Sequence, residues 1–291
     1  MTVPDMVLPV DKPEGPTSHD VVAMARKALG IRRIGHTGTL DPFASGLLLL
    51  CIGKATRLAE YLTGLAKSYE AVARLGITTD TEDLEGQPLE EREGWADLTP
   101  DAVLAAMAGF KGEIDQVPPQ FSAKKVDGVA MHRRARRGEH VELAPRAITV
   151  HELELRSLDV PFMTFHARCS SGTYVRSLAR DIGEELGVGA HLTALRRTSI
   201  GTHPLRGAIT PDQLGDPDAV SRASLSPLAA LAHLPTVVVD PQGRDRLALG
   251  QSVELTAEAA APLVAVAHDS RLVAIAEAGE GVLRPKKVFA Q

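Results

Sequence analysis

One carboxylate in the chain stands where a reactive group would. Asp41 closes the run Gly35-His36-Thr37-Gly38-Thr39-Leu40-Asp41-Pro42. Pro42 biases it away from helical backbone geometry, and Gly35, Gly38 and Gly46 leave room for close approach. An Asp-Pro in a loop is by itself a turn; Arg176 changes that reading. It stands in the first turn of a helix opened by Gly172, where a cation opposes the helix dipole unless an anion faces it. A buried carboxylate likewise needs a partner, because an uncompensated buried charge is costly. Pairing the two answers both needs and keeps Asp41 ionised at neutral pH. Such a carboxylate can serve as nucleophile or general base. Tyr69 and Tyr174 are two of three tyrosines in a chain that is 3% aromatic. They are either core packing or a flat surface for an extruded base, worth about 1–3 kcal/mol per base. His36 is either an ordinary loop histidine or a flat side chain that fills a gap in a nucleic-acid stack.

Other chemistries fit less well. Gly53-Lys54-Ala55 looks like a phosphate loop, but the glycine needed five residues upstream is Leu48, and Ala55 replaces Ser or Thr. His140-Val141-Glu142 matches half of a zinc-deaminase signature, with no Pro-Cys-x-x-Cys after it. Cys51 and Cys169 are far apart, which argues against a disulfide framework or a cysteine-rich zinc site and favours a reducing cytosol.

The elements that must position these residues follow from periodicity and caps. Met6 to Val10 reads as a strand. Thr17 and Asp20 fit a capping box for a helix with Val21, Met24, Ala25, Ala28 and Leu29 on its apolar face, ended by Gly30. Leu47 to Ile52 is a buried strand or helix. In Ser68 to Leu75, alternation puts Tyr69, Ala71, Ala73 and Leu75 on one side of a strand. Thr99 caps a helix carrying Val103, Met107 and Phe110. Ile148 to Leu155 and Phe162 to Cys169 are strand-like. The helix after Gly172 buries Val175, Leu178, Ala179, Ile182 and Leu186 before Gly187 or Gly189 closes it. Pro211 to Pro235, rich in Asp, Ala, Ser and Pro, reads as a linker with one helical turn or two. Beyond it, short strands at Thr236–Asp240, Leu263–His268, Leu272–Glu277 and Val282–Phe289 suit a small β-barrel.

Length and composition predict a large domain, 1–232, carrying a basic arm at about 117–145, and a small one, 235–291. The longest apolar stretch, Leu47 to Ile52, is too short to span a bilayer, and a cytoplasmic protein is expected. Net charge is −5, which on its face argues against nucleic acid. Yet eight acids and one arginine fall between Asp80 and Asp97; without them the chain is slightly basic. Basic clusters stand out at Arg32-Arg33, Lys124-Lys125, Arg133-Arg134 with Arg136-Arg137, Arg196-Arg197 and Lys286-Lys287. Phosphate contacts need local positive charge and not a positive total.

Five runs together resemble the TruB family of bacterial tRNA pseudouridine-55 synthases. They are Val10 to Ser18, Gly35 to Gly46, Lys67-Ser68-Tyr69-Glu70, Cys169 to Arg176, and Gly189-Ala190-His191-Leu192 leading to Leu195-Arg196-Arg197. The resemblance implies an α+β pseudouridine synthase fold, a mixed and largely antiparallel sheet flanked by helices, with a small C-terminal β-barrel, PUA-like RNA-binding module. It implies isomerisation of a flipped-out uridine at position 55 in the T-arm loop of tRNA, with no cofactor or metal. A monomer with no obligate protein partner and no membrane association is expected. Asp41 is then the essential carboxylate, Arg176 its partner, and Tyr69 the stacking surface. His36, Tyr174 and Leu195 line the RNA or base pocket, Lys12 and Pro13 support a floor beneath Tyr69, and Lys125, Arg196 and Arg197 contact RNA. Many relatives carry a tyrosine-rich run after the element seen here as Ser122-Ala123-Lys124-Lys125. This chain has Met131-His132-Arg133-Arg134, so its arm leans on charge. The rival readings are a non-catalytic RNA-binding or tRNA-folding protein on the same scaffold, and a synthase acting on ribosomal RNA or in a guided complex.

Overall fold

A computed structural model describes residues 5–121, 125–126, 129–130, 143–255 and 261–289. The chain begins with β1 (Met6–Lys12), α1 (Ser18–Leu29), β2 (Ile34–His36), β3 (Ser45–Ile52), α2 (Ala59–Thr63) and β4 (Lys67–Leu75). A hairpin of β5 (Ile77–Thr79) and β6 (Pro88–Glu91) precedes α3 (Pro100–Ala108) and β7 (Gly112–Gln116). The short pair β8 (Lys125–Val126) and β9 (Val129–Ala130) lies within the expected arm. There follow β10 (Arg146–Asp159), β11 (Phe162–Cys169), α4 (Val175–Glu185), β12 (Ala190–Ile200), β13 (His203–Pro204) and α5 (Pro217–Ala223). The last stretch holds β14 (Thr236–Val238), α6 (Pro241–Ala248), β15 (Val253–Glu254), β16 (Leu263–His268), β17 (Arg271–Gly279) and β18 (Val282–Val288).

Among the described residues, nine strands form one sheet along the path β1-β3-β12-β4-β11-β10-β7, with β2 also on β3 and β13 on β12. Pairing is antiparallel except where β12 meets β3 in parallel, Arg196 opposite Ser45 and Arg197 opposite Gly46. The apolar run that periodicity left open is a strand because both its faces are covered. Leu48, Leu50 and Ile52 pack with Val21, Val22 and Ala25 of α1, while Leu47, Leu49 and Cys51 join a second cluster on the other side.

The α1 capping box is present in both directions, Thr17 with Asp20, and Gly30 ends the helix at φ 68°. Its docking stripe is narrower than expected: Val22 is buried, whereas Met24 and Ala28 are exposed. Phe110 falls beyond α3, which stops at Ala108. The stretch from Pro211 is a packed strap and not a loose linker. Leu214, Ala219 and Val220 are buried against β1 and α1, and Leu225 exchanges backbone hydrogen bonds of 2.9 and 2.8 Å with Val7. That covers the free edge of β1. Beyond it, a five-stranded sheet of order β14-β16-β17-β18-β15 buries Ala265, Leu272 and Ile275 in the same cluster as Val7, Leu47 and Leu49. Both α6 and β15 were missed by the sequence reading.

The parallel seam between β3 and β12 leaves no space for a side chain at Gly46. Its φ is +105°, and a Cβ there would stand 2.3 Å from the Arg197 carbonyl oxygen. Gly46→Ala is expected to cost about 3 kcal/mol or more, the upper end for single substitutions. A denaturant melt superimposable on wild type would contradict the seam.

Candidate active site

Asp41 sits at the turn between β2 and β3, and three groups fix that turn. Ser18 at the start of α1 donates to the Leu40 carbonyl (3.2 Å) and accepts from the Leu40 amide (2.8 Å). The Gly15 amide donates to the Pro42 carbonyl at 2.8 Å. The Lys12 ammonium, buried and held down to about 8 chiefly by burial, donates to Pro13, Pro16 and Pro42 carbonyls at 2.8, 2.8 and 3.2 Å. Lys12 and the Pro13 carbonyl therefore brace the Asp41 turn, and neither residue lines the cavity that holds Tyr69.

Arg176 reaches this carboxylate from the first turn of α4, its Nε 3.0 Å from Asp41 Oδ2. It also faces a second acid that composition had hidden. Nη1 lies 3.1 Å from Asp83 Oδ2 and donates to the Thr81 carbonyl at 2.7 Å, while Nη2 donates to the Phe121 carbonyl at 2.8 Å. Arg176 and Asp83 are each 5% exposed in the side chain, whereas Asp41 keeps 37%, open to the cavity. Burial raises the Asp41 pKa above its ordinary value, Arg176 opposes this, and the like charge of Asp83 adds to it. The arginine thus restrains the rise without cancelling it. Asp83 sits in the run of acids after Asp80, which by composition was only a charge block. Its local signal is a turn: Asp83 Oδ1 accepts from the Glu85 amide at 3.0 Å and from the Thr81 hydroxyl.

A cavity of about 270 Å³ opens over this pair, lined by Asp41, Arg176, Tyr69, Tyr174, Leu195 and Arg197 together with Lys67 and the loop at 171–173. Tyr69, buried on β4, has its phenol pKa raised by burial. Tyr174 caps α4, its amide and carbonyl both bound to the Gln116 side chain at 2.8 and 3.0 Å. His36 is outside the lining; it is half-buried, edge-on to His19 at 5.2 Å, with its pKa lowered by burial and by His19.

The two neighbouring arginines of β12 do not act together. Successive residues of a strand face opposite sides, so Arg197 turns inward with Leu195 and Arg196 outward. Arg197 is 1% exposed and donates to the Leu47, Thr39 and Gly38 carbonyls, which keeps it from any surface phosphate. Arg196 pairs with Asp11 at 2.6 Å outside the cavity. The same alternation splits the C-terminal pair. Lys286 meets Glu277 at 2.6 Å, while Lys287 turns to Glu60 and the Arg57 carbonyl. Arg133, Arg134, Arg136, Arg137 and the Lys125 side chain lie outside the described residues.

A family model described as TruB family pseudouridylate synthase, N-terminal domain, matches residues 26–175, and one for the tRNA pseudouridylate synthase B C-terminal domain matches 176–231. The chain belongs to the TruB family of pseudouridylate synthases. It is 45% identical to the tRNA pseudouridine synthase B of Burkholderia pseudomallei (strain 668), covering 98% of this chain and 96% of that protein. With that of Thermobifida fusca (strain YX) it shares 46% identity over 98% and 99%. Among solved structures, an H/ACA RNP bound to a substrate RNA containing 2'-deoxyuridine superposes with a TM-score of 0.76. There the identity is 27% over 98% of this chain and 85% of the other. The fold is accordingly the α+β pseudouridine synthase fold with a small C-terminal module.

Arg176→Ala strands two acids, and for a buried pair is expected to cost this TruB-family enzyme about 3–5 kcal/mol in a denaturant melt; an unchanged midpoint would contradict the burial. Asp41 itself is followed by carbon-13 NMR titration. Its midpoint is expected above the usual carboxylate range, and Asp83→Asn is expected to lower it. The sign follows from the raised pKa: this group favours folding at low pH, and that contribution is lost as pH rises through the folded-state value. A midpoint indifferent to Asp83→Asn would show that the two carboxylates do not interact.

Proposed function

We propose that this synthase isomerises the uridine at position 55 in the T-arm loop of tRNA, with Asp41 as the reacting carboxylate. Relatives at 45–46% identity over nearly the whole chain are named tRNA pseudouridine synthase B, which supports conversion of a tRNA uridine to pseudouridine. The observation that carries the site assignment is the half-open Asp41, paired with Arg176 at 3.0 Å in a cavity that Tyr69 also lines.

The reaction breaks N1–C1′, and the electron pair leaves with the uracil. C1′ is satisfied through the Asp41 carboxylate, by bonding to one of its oxygens or by losing the 2′ proton to it. The base turns and C5 bonds to C1′ as the Asp41 oxygen leaves C1′, or as Asp41 returns the proton to the 2′ carbon; the C5 proton then leaves and N1 gains one. Atoms and electrons balance without a redox partner or group donor, which supports a reaction with no cofactor. Tyr69 holds the extruded base flat, Tyr174 and Leu195 close the pocket, and enclosure keeps water from the reactive sugar. Leaving the stack costs a few kcal/mol. The basic arm and the C-terminal module, residues 235–291, supply it by phosphate and shape contacts. The enzyme works as a cytoplasmic monomer.

Tritium release from 5-tritiated uridine in a tRNA transcript tests the reading. Wild type is expected to release tritium, and to stop when position 55 is cytidine. Asp41→Asn is expected to release none while binding the transcript as wild type does. Isotope release by a clean preparation of that variant would refute the role of Asp41. The second reading is a synthase acting on ribosomal RNA or in a guided complex, and the likeness to an H/ACA RNP bound to a substrate RNA supports the latter form; release from ribosomal transcripts in preference to tRNA would favour it.

A further inference from the structure

The charged side chains lining the cavity are three cations, Lys67, Arg176 and Arg197, and one acid, Asp41. Arg176 is matched by Asp41 and by Asp83 behind it. Lys67 and Arg197 are 7% and 1% exposed, and among the described residues neither meets a carboxylate. Lys67 Nζ donates to the Thr63 and Leu65 carbonyls, both at 2.9 Å, and Arg197 donates to the Leu47, Thr39 and Gly38 carbonyls. Carbonyls satisfy hydrogen bonds but do not neutralise charge, and burying two unpaired cations side by side is unfavourable.

Their placement is specific to the base pocket. Arg197 is the cross-strand partner of Tyr69 and lowers its phenol pKa against burial, while Lys67 is two residues before Tyr69 on the same face of β4. An ammonium has three donors, and two are spent on the end of α2. Burial first, then the charge of Arg197, bring the Lys67 pKa down to about 8, with Cys169 on β11 a smaller opposing influence. Capping α2 alone would not require this lysine to line the cavity.

We propose that Lys67 and Arg197 form a cationic wall that takes up the negative charge of the detached uracil. The inference rests on the isomerase reading above. When the N1–C1′ pair leaves with the base, the uracil is a monoanion with its charge spread over N1, O2 and O4. A fixed cation aimed at charge that appears only on bond breaking lowers the barrier without tightening ground-state binding.

The test uses the full chain and a 5-tritiated tRNA transcript, with single-turnover rate and transcript affinity measured separately. Lys67→Met is expected to slow the single-turnover rate by about 100-fold or more, the range for removing one such donor, with affinity and its salt dependence unchanged. The wild-type rate is expected to fall as pH rises past about 8, where Lys67 loses its proton. Lys67→Arg is expected to move that fall to higher pH, since a guanidinium stays charged. Among the groups around the cavity, Lys12 behind Asp41 is also held down to about 8, so a fall that stays put in Lys67→Arg belongs to Lys12 and overturns the proposal. So does a wild-type rate in Lys67→Met, with or without a lower melting temperature, which would leave only the cap on α2. A loss of affinity and of salt dependence at an unchanged rate would assign the wall to an RNA phosphodiester instead. If Lys67→Met does not fold, the pH profile of Lys67→Arg decides. Wild type that releases no tritium would refute the isomerase reading itself, a separate outcome.

Discussion

The Arg176 guanidinium, buried in the first turn of α4, donates to three segments far apart in the chain: the Asp41 turn, the Thr81–Asp83 turn and the Phe121 carbonyl. Each partner is held only while the others are, because releasing one leaves buried charge behind. Burial chiefly sets the state of Asp41: it raises the carboxyl above its ordinary value, Arg176 opposes the rise, and the like charge of Asp83 adds to it. The site gains a more basic carboxylate than an isolated ion pair would allow.

A second constraint runs across the sheet. Gly46, Arg197 and Tyr69 form one row, β3 to β12 to β4, continued by Ala167 on β11. The absence of a side chain at Gly46 lets β12 come close enough for Arg197 to hold the 38–39 loop by its carbonyls. The same residue is the cross-strand neighbour of Tyr69. Backbone geometry at one glycine therefore sets the distance between the loop that carries Asp41 and the strand that carries Tyr69.

Much of this was legible in the residues. Thr17 with Asp20, Gly30, the alternation of Tyr69 to Leu75 and the apolar face of α4 are local patterns, and local patterns survive folding. The meeting of Asp41 with Arg176 followed from electrostatic need, since each was unfavourable alone. Asp83 was not legible because a run of acids looks solvated whichever member is buried. The strap after Pro211 looked loose because its few apolar residues find their partners on β1 and α1, some two hundred residues away. The paired arginines looked like one cluster because the strand that separates them alternates faces, and sequence adjacency hides that. Lys12 braces the Asp41 turn through the Pro42 carbonyl, a contact that sequence neighbours do not signal.

An acidic protein acting on RNA is then less paradoxical than its total charge suggests. Two of the acids between Asp80 and Asp97 are not surface charge at all. Asp83 is consumed by Arg176, and Glu82 is buried against Ser177 and Arg180. Of the other six, Asp80 is half-buried, and Glu85, Glu90, Glu91, Glu93 and Asp97 are exposed and repel phosphate wherever they stand. Cations instead outnumber acids in the lining of the cleft beside Asp41. Repulsion outside the cleft and attraction within it favour one docking pose over many weak ones, so the charge pattern contributes specificity and orientation more than raw affinity.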